Sequence, residues 1–254
     1  MNTNELWKDK VAIVTGGSSG IGEATARKLL EQGAKVLITG RTAERLAAVA
    51  EVSENIESLQ VDSSDVTSGQ QIVDAALSRW GRIDLIVNNS GAGQMLPVEA
   101  YDPEIIANMC AVNIMAPSQL VKAAAEALGA SKGAIVNIGT AVSRGAAPMI
   151  AHYGATKAAL EHLTQSWAIE LAGMGIRVNA IAPGPVKSGA LTGFMGIPAE
   201  MAQQIEAQEA EQVPLGRRGV TDDIVPWILH LGSPENEWLT GQVLTIDGGW
   251  SLRS

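Results

Sequence analysis

Tyr153 and Lys157 stand four residues apart in Tyr153-Gly154-Ala155-Thr156-Lys157. On a helix, that spacing puts both side chains on one face. A phenol with a pKa of about 10 is a poor proton carrier near neutral pH. An ammonium beside it stabilises the phenolate and lowers that pKa, so the two together make a proton donor and acceptor. The spacing alone is weak, because a Tyr and a Lys four apart on a helix are usually surface residues.

A second cluster suits phosphate. Thr15-Gly16-Gly17-Ser18-Ser19-Gly20-Ile21-Gly22 follows the apolar run Val11–Val14 and opens an amphipathic stretch. Glycines at 16, 20 and 22 allow a sharp turn and a close approach of backbone. The helix start adds unpaired N–H groups and a positive dipole end. Set between a strand and a helix, the loop predicts a dinucleotide cradle from Gly16, Ser18, Ser19, Gly20, Ile21 and Gly22. The plainer alternative is a Gly-rich turn.

The next strand ends at Thr39-Gly40-Arg41-Thr42. An NAD site usually places a carboxylate about 20 residues past the glycines, for the ribose 2′-OH. Here Gly40 and Arg41 stand instead. A guanidinium can clamp a 2′-phosphate with paired hydrogen bonds, which favours NADP(H) over NAD(H). Otherwise Arg41 is a solvated surface charge. Asp62, with Ser63 beside it, ends the third strand and is placed to accept from an adenine amino group. In Asp62-Ser63-Ser64-Asp65 it is equally a turn former.

Short Val/Ile-rich runs alternate with longer amphipathic stretches. The runs are Val11–Val14, Val36–Thr39, Ser58–Val61, Ile83–Val87, Ala134–Ile138, Ile176–Ile181 and Val243–Ile246. Nearly continuous apolar runs suit strands buried on both faces. Ile72, Val73, Ala76, Leu77 and Trp80, then Leu160, Leu163, Trp167 and Leu171, recur at helical spacing. The alternation predicts an α/β fold: a doubly wound parallel sheet in the order 3-2-1-4-5-6-7, with helices on both faces. No linker divides the chain, so residues 1–254 read as a single domain. The interval Ala182–Gln242 is longer than one helix needs. Within it, Lys187–Val213 reads as a mobile flap with a short helix or two.

The 254 residues carry 18 Lys+Arg against 27 Asp+Glu, a net charge of -9, and are 46% hydrophobic. The composition predicts a buried core and excludes intrinsic disorder. The acid excess excludes a phosphate footprint, so neither nucleic acid nor an anionic membrane is expected as partner. The single cysteine, Cys110, reads as a small core residue, and excludes an intramolecular disulfide and a Cys-based zinc site. His152, His162 and His230 lack metal-ligand spacing, so no metal is expected. The first ten residues hold no apolar segment of signal-peptide type, and no run approaches membrane-spanning length; the expected location is cytoplasmic. Asn88-Asn89-Ser90 matches a glycosylation sequon but is discounted on that ground. The Met and Trp residues read as mostly core.

Taken in order, Thr15–Gly22, Asn88-Asn89-Ser90-Gly91, Asn113, Tyr153–Lys157, Pro183-Gly184 and Asp247-Gly248-Gly249 make the chain resemble the short-chain dehydrogenase/reductase superfamily. The likeness is to its compact members of about 250 residues, and it runs the whole length. It implies a Rossmann-type domain in which Tyr153 is the general acid in reduction and the general base in oxidation. Lys157 would bond the nicotinamide ribose and lower the pKa of Tyr153. Asn113 would hold a water linking Lys157 to solvent; a helix Asn bonded to backbone fits the sequence equally well. Asn89 and Gly91 would pack on the cofactor ribose. Pro183, Gly184 and Val186 would lie against the nicotinamide, and Ser188 would meet its carboxamide.

Thr140 stands where the family has its substrate-orienting serine, and keeps the hydroxyl; Ser143 is the fallback. The resemblance further implies a small carbonyl/alcohol substrate and a homo-oligomer, a tetramer by preference. Ala155, Ala158, Ala159 and Ala168 offer a small face for helix pairing. Gln94, Val142, Met149, Leu191 and Phe194 would wall the substrate space, mostly apolar, with Gln94 and Arg144 available for one polar group. Two other functions fit the same motifs: a catalytically silent NADP-binding regulator, and a 3-ketoacyl-carrier-protein reductase. The second would want a basic patch, and Lys122, Lys132 and Arg144 are scattered.

Overall fold

Side-chain alternation along the strands sorts the interior into two apolar layers. Ala12 and Val14, Val36 and Ile38, Leu85 and Val87, and Ala134 and Val136 face one layer. Ile13, Leu37, Ile86 and Ile135, one residue out of step, face the other. A strand with both faces buried must be apolar at every position, which explains the continuous runs. The computed structural model describes residues 6–252. Its strands are β1 (Val11–Thr15), β2 (Lys35–Gly40), β3 (Ile56–Gln60), β4 (Leu85–Asn88), β5 (Ala134–Ile138), β6 (Arg177–Pro183) and β7 (Val243–Ile246). They form one parallel seven-stranded sheet in the order β3-β2-β1-β4-β5-β6-β7.

The helices are α1 (Gly20–Glu31), α2 (Ala43–Ala50), α3 (Ser68–Trp80), α4 (Pro103–Cys110), α5 (Ala116–Ser131), α6 (Ala151–Glu170), α7 (Ala199–Gln212) and α8 (Thr221–Gly232). Leu29, Leu46 and Ile228 of α1, α2 and α8 enter the first layer. Ile72, Leu120 and Ala168 of α3, α5 and α6 enter the second. The order reverses between β1 and β4. There the loops leaving neighbouring strands part in opposite directions and leave a crevice at the carboxyl ends.

Several sequence expectations are corrected. β3 spans Ile56–Gln60, not Ser58–Val61, and it is an edge strand with Glu57, Ser58 and Gln60 at least partly exposed. The flap carries one helix of 14 residues, α7, rather than a short one or two. Ala168 is buried in the core, so it is lost from the proposed pairing face, whereas Ala155 and Ala158 are exposed. Among the described residues, Trp7 and Met109 are the buried members of the Trp and Met set, while Trp227, Trp238, Met115 and Met174 are exposed. Cys110 is partly buried at the end of α4. Asn88 is buried and donates to Asn137 Oδ1 at 2.8 Å, so the sequon lies inside the sheet.

Between α4 and α5 the helix loosens into a π turn, Ala111–Met115. Pro117 lacks the N–H that would bond the carbonyl four residues back, at Asn113, and the widened turn absorbs the defect. Asn113 is thereby set within the interior. Among the described residues no helix is long and apolar enough to cross a membrane.

Candidate active site

The crevice is one cavity of about 770 Å³ that runs from the glycine loop, past the ends of β4 and β5, to the flap. At one end, Gly16 and Gly20 take left-handed φ angles of 63° and 55°. A Cβ on Gly20 would stand 2.6 Å from Ser188 O, and one on Gly16 would stand 3.0 Å from Asn89 Nδ2. Ser18, Ser19, Gly20 and Ile21 line the cavity at the start of α1, where Ser19 makes no side-chain cap. A cradle without side chains beside open helix N–H groups fits a pyrophosphate.

Gly22 has another role. It does not line the cavity; a Cβ there would meet Gly16 O at 2.3 Å and Asn89 Nδ2 at 2.4 Å, so it lets α1 pack on its own loop. Asn89 lines the wall, but its amide is committed to Thr15 O at 2.9 Å and Gly16 O at 3.1 Å.

Beyond the cradle the wall is Gly40, Arg41, Thr42, Arg45, Asp62 and Ser63. Asp62 forms a turn, accepting from Ser64 N at 2.9 Å and Ser64 Oγ at 2.8 Å. These bonds, with a smaller contribution from the Arg41 charge, hold its carboxyl below the usual value. Arg41 is exposed and forms no salt bridge among the described residues. Arg45, in the first turns of α2, joins the same wall. Its one signal in the sequence is an arginine four residues after Arg41.

At the other end, Thr140 leaves β5 and Tyr153 and Lys157 leave α6. Burial pushes the Tyr153 phenol up to about 12, and the neighbouring Thr140 hydroxyl opposes the rise. Lys157 Nζ donates to Ile138 O at 2.8 Å. Burial pulls its pKa down to about 8, and Glu161 opposes the fall. In the cofactor-free protein the Thr140 hydroxyl, rather than Lys157, is the neighbour that lowers the Tyr153 pKa. A Cβ on Gly91 would lie 3.6 Å from Lys157 Nζ and 3.8 Å from Asn113 Oδ1, so both polar groups lie beneath the Gly91 backbone.

Asn113 is fully buried and does not reach the cavity surface. Its Oδ1 accepts from Ala92 N at 2.9 Å; its Nδ2 donates to Ala92 O at 2.8 Å and to Thr156 Oγ1 at 2.9 Å. It braces the loop after β4 against α6, which matches the backbone-bonded alternative. Ser143, the fallback for Thr140, places its hydroxyl 2.7 Å from Thr140 O and within 3.0 Å of both oxygens of Glu161, one donor among three acceptors, and does not line the cavity. Arg144 also faces Glu161, at 3.2 Å, and does not line the cavity.

The cavity brings Gln94, Val142, Met149, Leu191 and Phe194 together beside Tyr153. The Phe194 ring lies 6.1 Å from that of Tyr153, centre to centre. Gly93 permits this, since a Cβ there would meet Tyr153 at 2.9 Å and Phe194 at 3.2 Å. Met149 holds φ at 69°, unusual for a side chain of its size, while its carbonyl accepts from Leu96 N at 2.6 Å. Pro183, Gly184, Val186 and Ser188 complete the wall.

Sequence reasoning missed Arg218. Buried at 4% exposure, it donates to Val186 O at 3.0 Å and pairs with Glu206 and Glu209, so it pins α7 to the cavity wall. The flap is thus held by buried charge, which the Pro- and Gly-rich composition of residues 183–198 did not suggest. Among the described residues no group of three or more His, Cys, Asp or Glu could hold a metal ion.

The chain as a whole is similar to known proteins. The family described as enoyl-(acyl carrier protein) reductase matches residues 16–251. The short-chain dehydrogenase/reductase FrzI of a Cladobotryum species is 37% identical over 257 residues, covering 98% of each chain. A cofactor-bound short-chain dehydrogenase/reductase of unknown function from Caenorhabditis elegans superposes with a TM-score of 0.91 at 34% identity, over 98% of this chain and 97% of that one. The 3-ketoacyl-(acyl-carrier-protein) reductase of Brucella melitensis, solved with NADH, gives 0.88 at 30% identity, over 96% of this chain and 99% of that one.

Proposed function

The chain belongs to the short-chain dehydrogenase/reductase superfamily, and from that premise we propose that it is an NADP(H)-dependent oxidoreductase interconverting a hydrophobic carbonyl compound and its alcohol. The reading rests on one observation: the Tyr153 phenol and the Thr140 hydroxyl share the wall of one cavity, with Lys157 one turn further along α6, and the far end of that cavity is a glycine cradle.

A bound nicotinamide supplies the hydride in reduction and accepts it in oxidation. The protein's own residues do the rest. In reduction, Tyr153 gives its proton to the carbonyl oxygen as the hydride reaches the carbon, and the alcohol leaves with both. Oxidation runs the same transfers backwards, with the tyrosinate taking the proton. Thr140 orients the oxygen. Lys157 and the loop after β4, braced by Asn113, hold the ribose. Gly16, Ser18, Ser19, Gly20 and Ile21 take the pyrophosphate, while Arg41 and Arg45 take the 2′-phosphate.

The relative from Brucella was solved with NADH, so the cofactor choice here stands on those two guanidinium groups. Met95, Met109, Met149, Leu191, Phe194 and Ile205 make the substrate walls apolar and adaptable, which suits a bulky apolar carbonyl. The test is consumption of NADPH and of NADH with a panel of ketones and aldehydes, and the reverse reaction with secondary alcohols. No turnover of any member, with NADPH still bound, would favour the silent regulator. A 3-ketoacyl thioester on a carrier protein belongs in the panel. Lys122 and Lys132 lie on and just after α5, and Arg144 is paired with Glu161, so they form no basic patch for a carrier.

Thr140→Ala is expected to lower kcat by about 10²- to 10³-fold, the cost of losing one oriented donor, with little change in melting temperature. Thr140→Ser should be nearly neutral. Steady-state kinetics of both variants and of Ser143→Ala check this; a harmless Thr140→Ala with a damaging Ser143→Ala would transfer the role. The protein is also expected to form a homotetramer. Ala155, Ala158 and Ile169 leave an uncovered face on α6, with Ile169 82% exposed. Sedimentation at micromolar concentration checks it, and a species of 26.5 kDa would refute it.

A further inference from the structure

Glu161 sits one helical turn beyond Lys157 and two beyond Tyr153 on α6, and is only 5% exposed. Buried carboxylates need partners. Oε1 accepts from Thr140 N at 3.3 Å and from Ser143 Oγ at 2.9 Å. Oε2 accepts from Ser143 Oγ at 3.0 Å and meets Arg144 at 3.2 Å. Gly139 makes the room, since a Cβ there would stand 2.5 Å from Oε1. The carboxylate is thus wedged between the backbone that carries Thr140 and the helix that carries Lys157.

We propose that Glu161 is a positioning residue of the reaction: its carboxylate seats Thr140 beside Tyr153 and supplies the negative charge that faces Lys157. The proposal rests on the oxidoreductase reading for its catalytic consequence only. Lys157 is faced by Tyr153 and Glu161 from α6, by the Ile138 carbonyl from β5, and by neutral Asn113 and Gly91 from the π turn and the loop after β4. Glu161 in turn is faced by Arg144 from the turn after β5. Burial draws the ammonium of Lys157 toward losing its proton, and the carboxylate resists.

Two substitutions should therefore move Lys157 in opposite directions. Glu161→Gln keeps an acceptor for Ser143 and Thr140 but removes the charge, so Lys157 loses its proton at lower pH. Arg144→Met removes the competing cation from a partly exposed position, so Lys157 holds its proton to higher pH. The readout needs no turnover: trace acetylation of Lys157 by acetic anhydride in the cofactor-free, full-length protein, followed across pH by peptide mass spectrometry. The labelling midpoint should fall by about one pH unit in Glu161→Gln and rise by less in Arg144→Met. In the same preparations, kcat of Glu161→Gln should fall by about ten- to a hundredfold, with its alkaline limb displaced downward. A midpoint unmoved in both variants overturns the proposal, as does a fall in kcat at every pH with the limb unmoved. If Glu161→Gln fails to fold, an unmoved midpoint in Arg144→Met alone overturns it. A protein that reduces no carbonyl would sink the proposed function, yet the labelling would still decide whether Glu161 governs Lys157.

Discussion

Tyr153→Phe is expected to lower kcat/KM for carbonyl reduction by about 10³-fold, within the usual range for removing a positioned general acid. That corresponds to roughly 4 kcal/mol of barrier. The substitution deletes one hydroxyl and leaves the ring. The ring still fits the space that Gly93 leaves open and still faces Phe194. NADPH binding, measured by fluorescence titration, should stay within a few-fold of the wild type. Activity within threefold of wild type would remove Tyr153 as the acid.

The phenol also sets a direction with pH. Burial raises it to about 12, so near pH 7 it is held as the acid, ready to donate. Oxidation needs the phenolate, which becomes more available as pH rises. The oxidation optimum should therefore lie at higher pH than the reduction optimum. Parallel pH profiles in the two directions check this, and coincident optima would count against Tyr153 as the shared proton carrier.

Those residues were legible in the sequence because each carried a local signature. The glycines followed a continuous apolar run, and Tyr153 and Lys157 shared one helix face. What stayed hidden depends on tertiary placement. Glu161 reads as an ordinary helical carboxylate four residues after a lysine. It becomes a buried hub only because Gly139, far off in sequence, leaves room for it. Arg218 follows another arginine in a polar stretch and reads as solvated, yet it is enclosed by α7. Ala168 reads as part of a small outer face, but the end of α6 turns it into the core. The edge strand β3 was misplaced because one of its faces is polar, which blurs a continuous apolar run. Gly22, read with the cradle, lies off the cavity wall, and its missing Cβ lets α1 pack against Gly16 and Asn89.

Arg41→Asp is expected to reverse the cofactor preference from NADPH toward NADH. The wild-type wall presents Arg41 and Arg45 beside Gly40, and a Cβ on Gly40 would lie 3.4 Å from Ser18 Oγ, so a serine hydroxyl borders the same corner. A 2′-phosphate carries between one and two negative charges near pH 7, which NADH lacks. A charge-assisted hydrogen bond contributes roughly 1.5–3 kcal/mol. That is about 10- to 150-fold in affinity. Arg41 is exposed, so salt screens part of this, and the preference should shrink as ionic strength rises. A preference set by shape would not. The new carboxylate adds repulsion toward the phosphate and offers an acceptor to the ribose 2′-OH, so the two cofactors should respond with opposite signs. Arg45→Ala should weaken NADPH in the same sense but less, because it removes a charge without adding the opposite one. The measurement is kcat/KM for both cofactors at low and high salt, in wild type and in each variant. A wild-type enzyme that prefers NADH, or a ratio unchanged in Arg41→Asp, would reduce Arg41 to a surface charge.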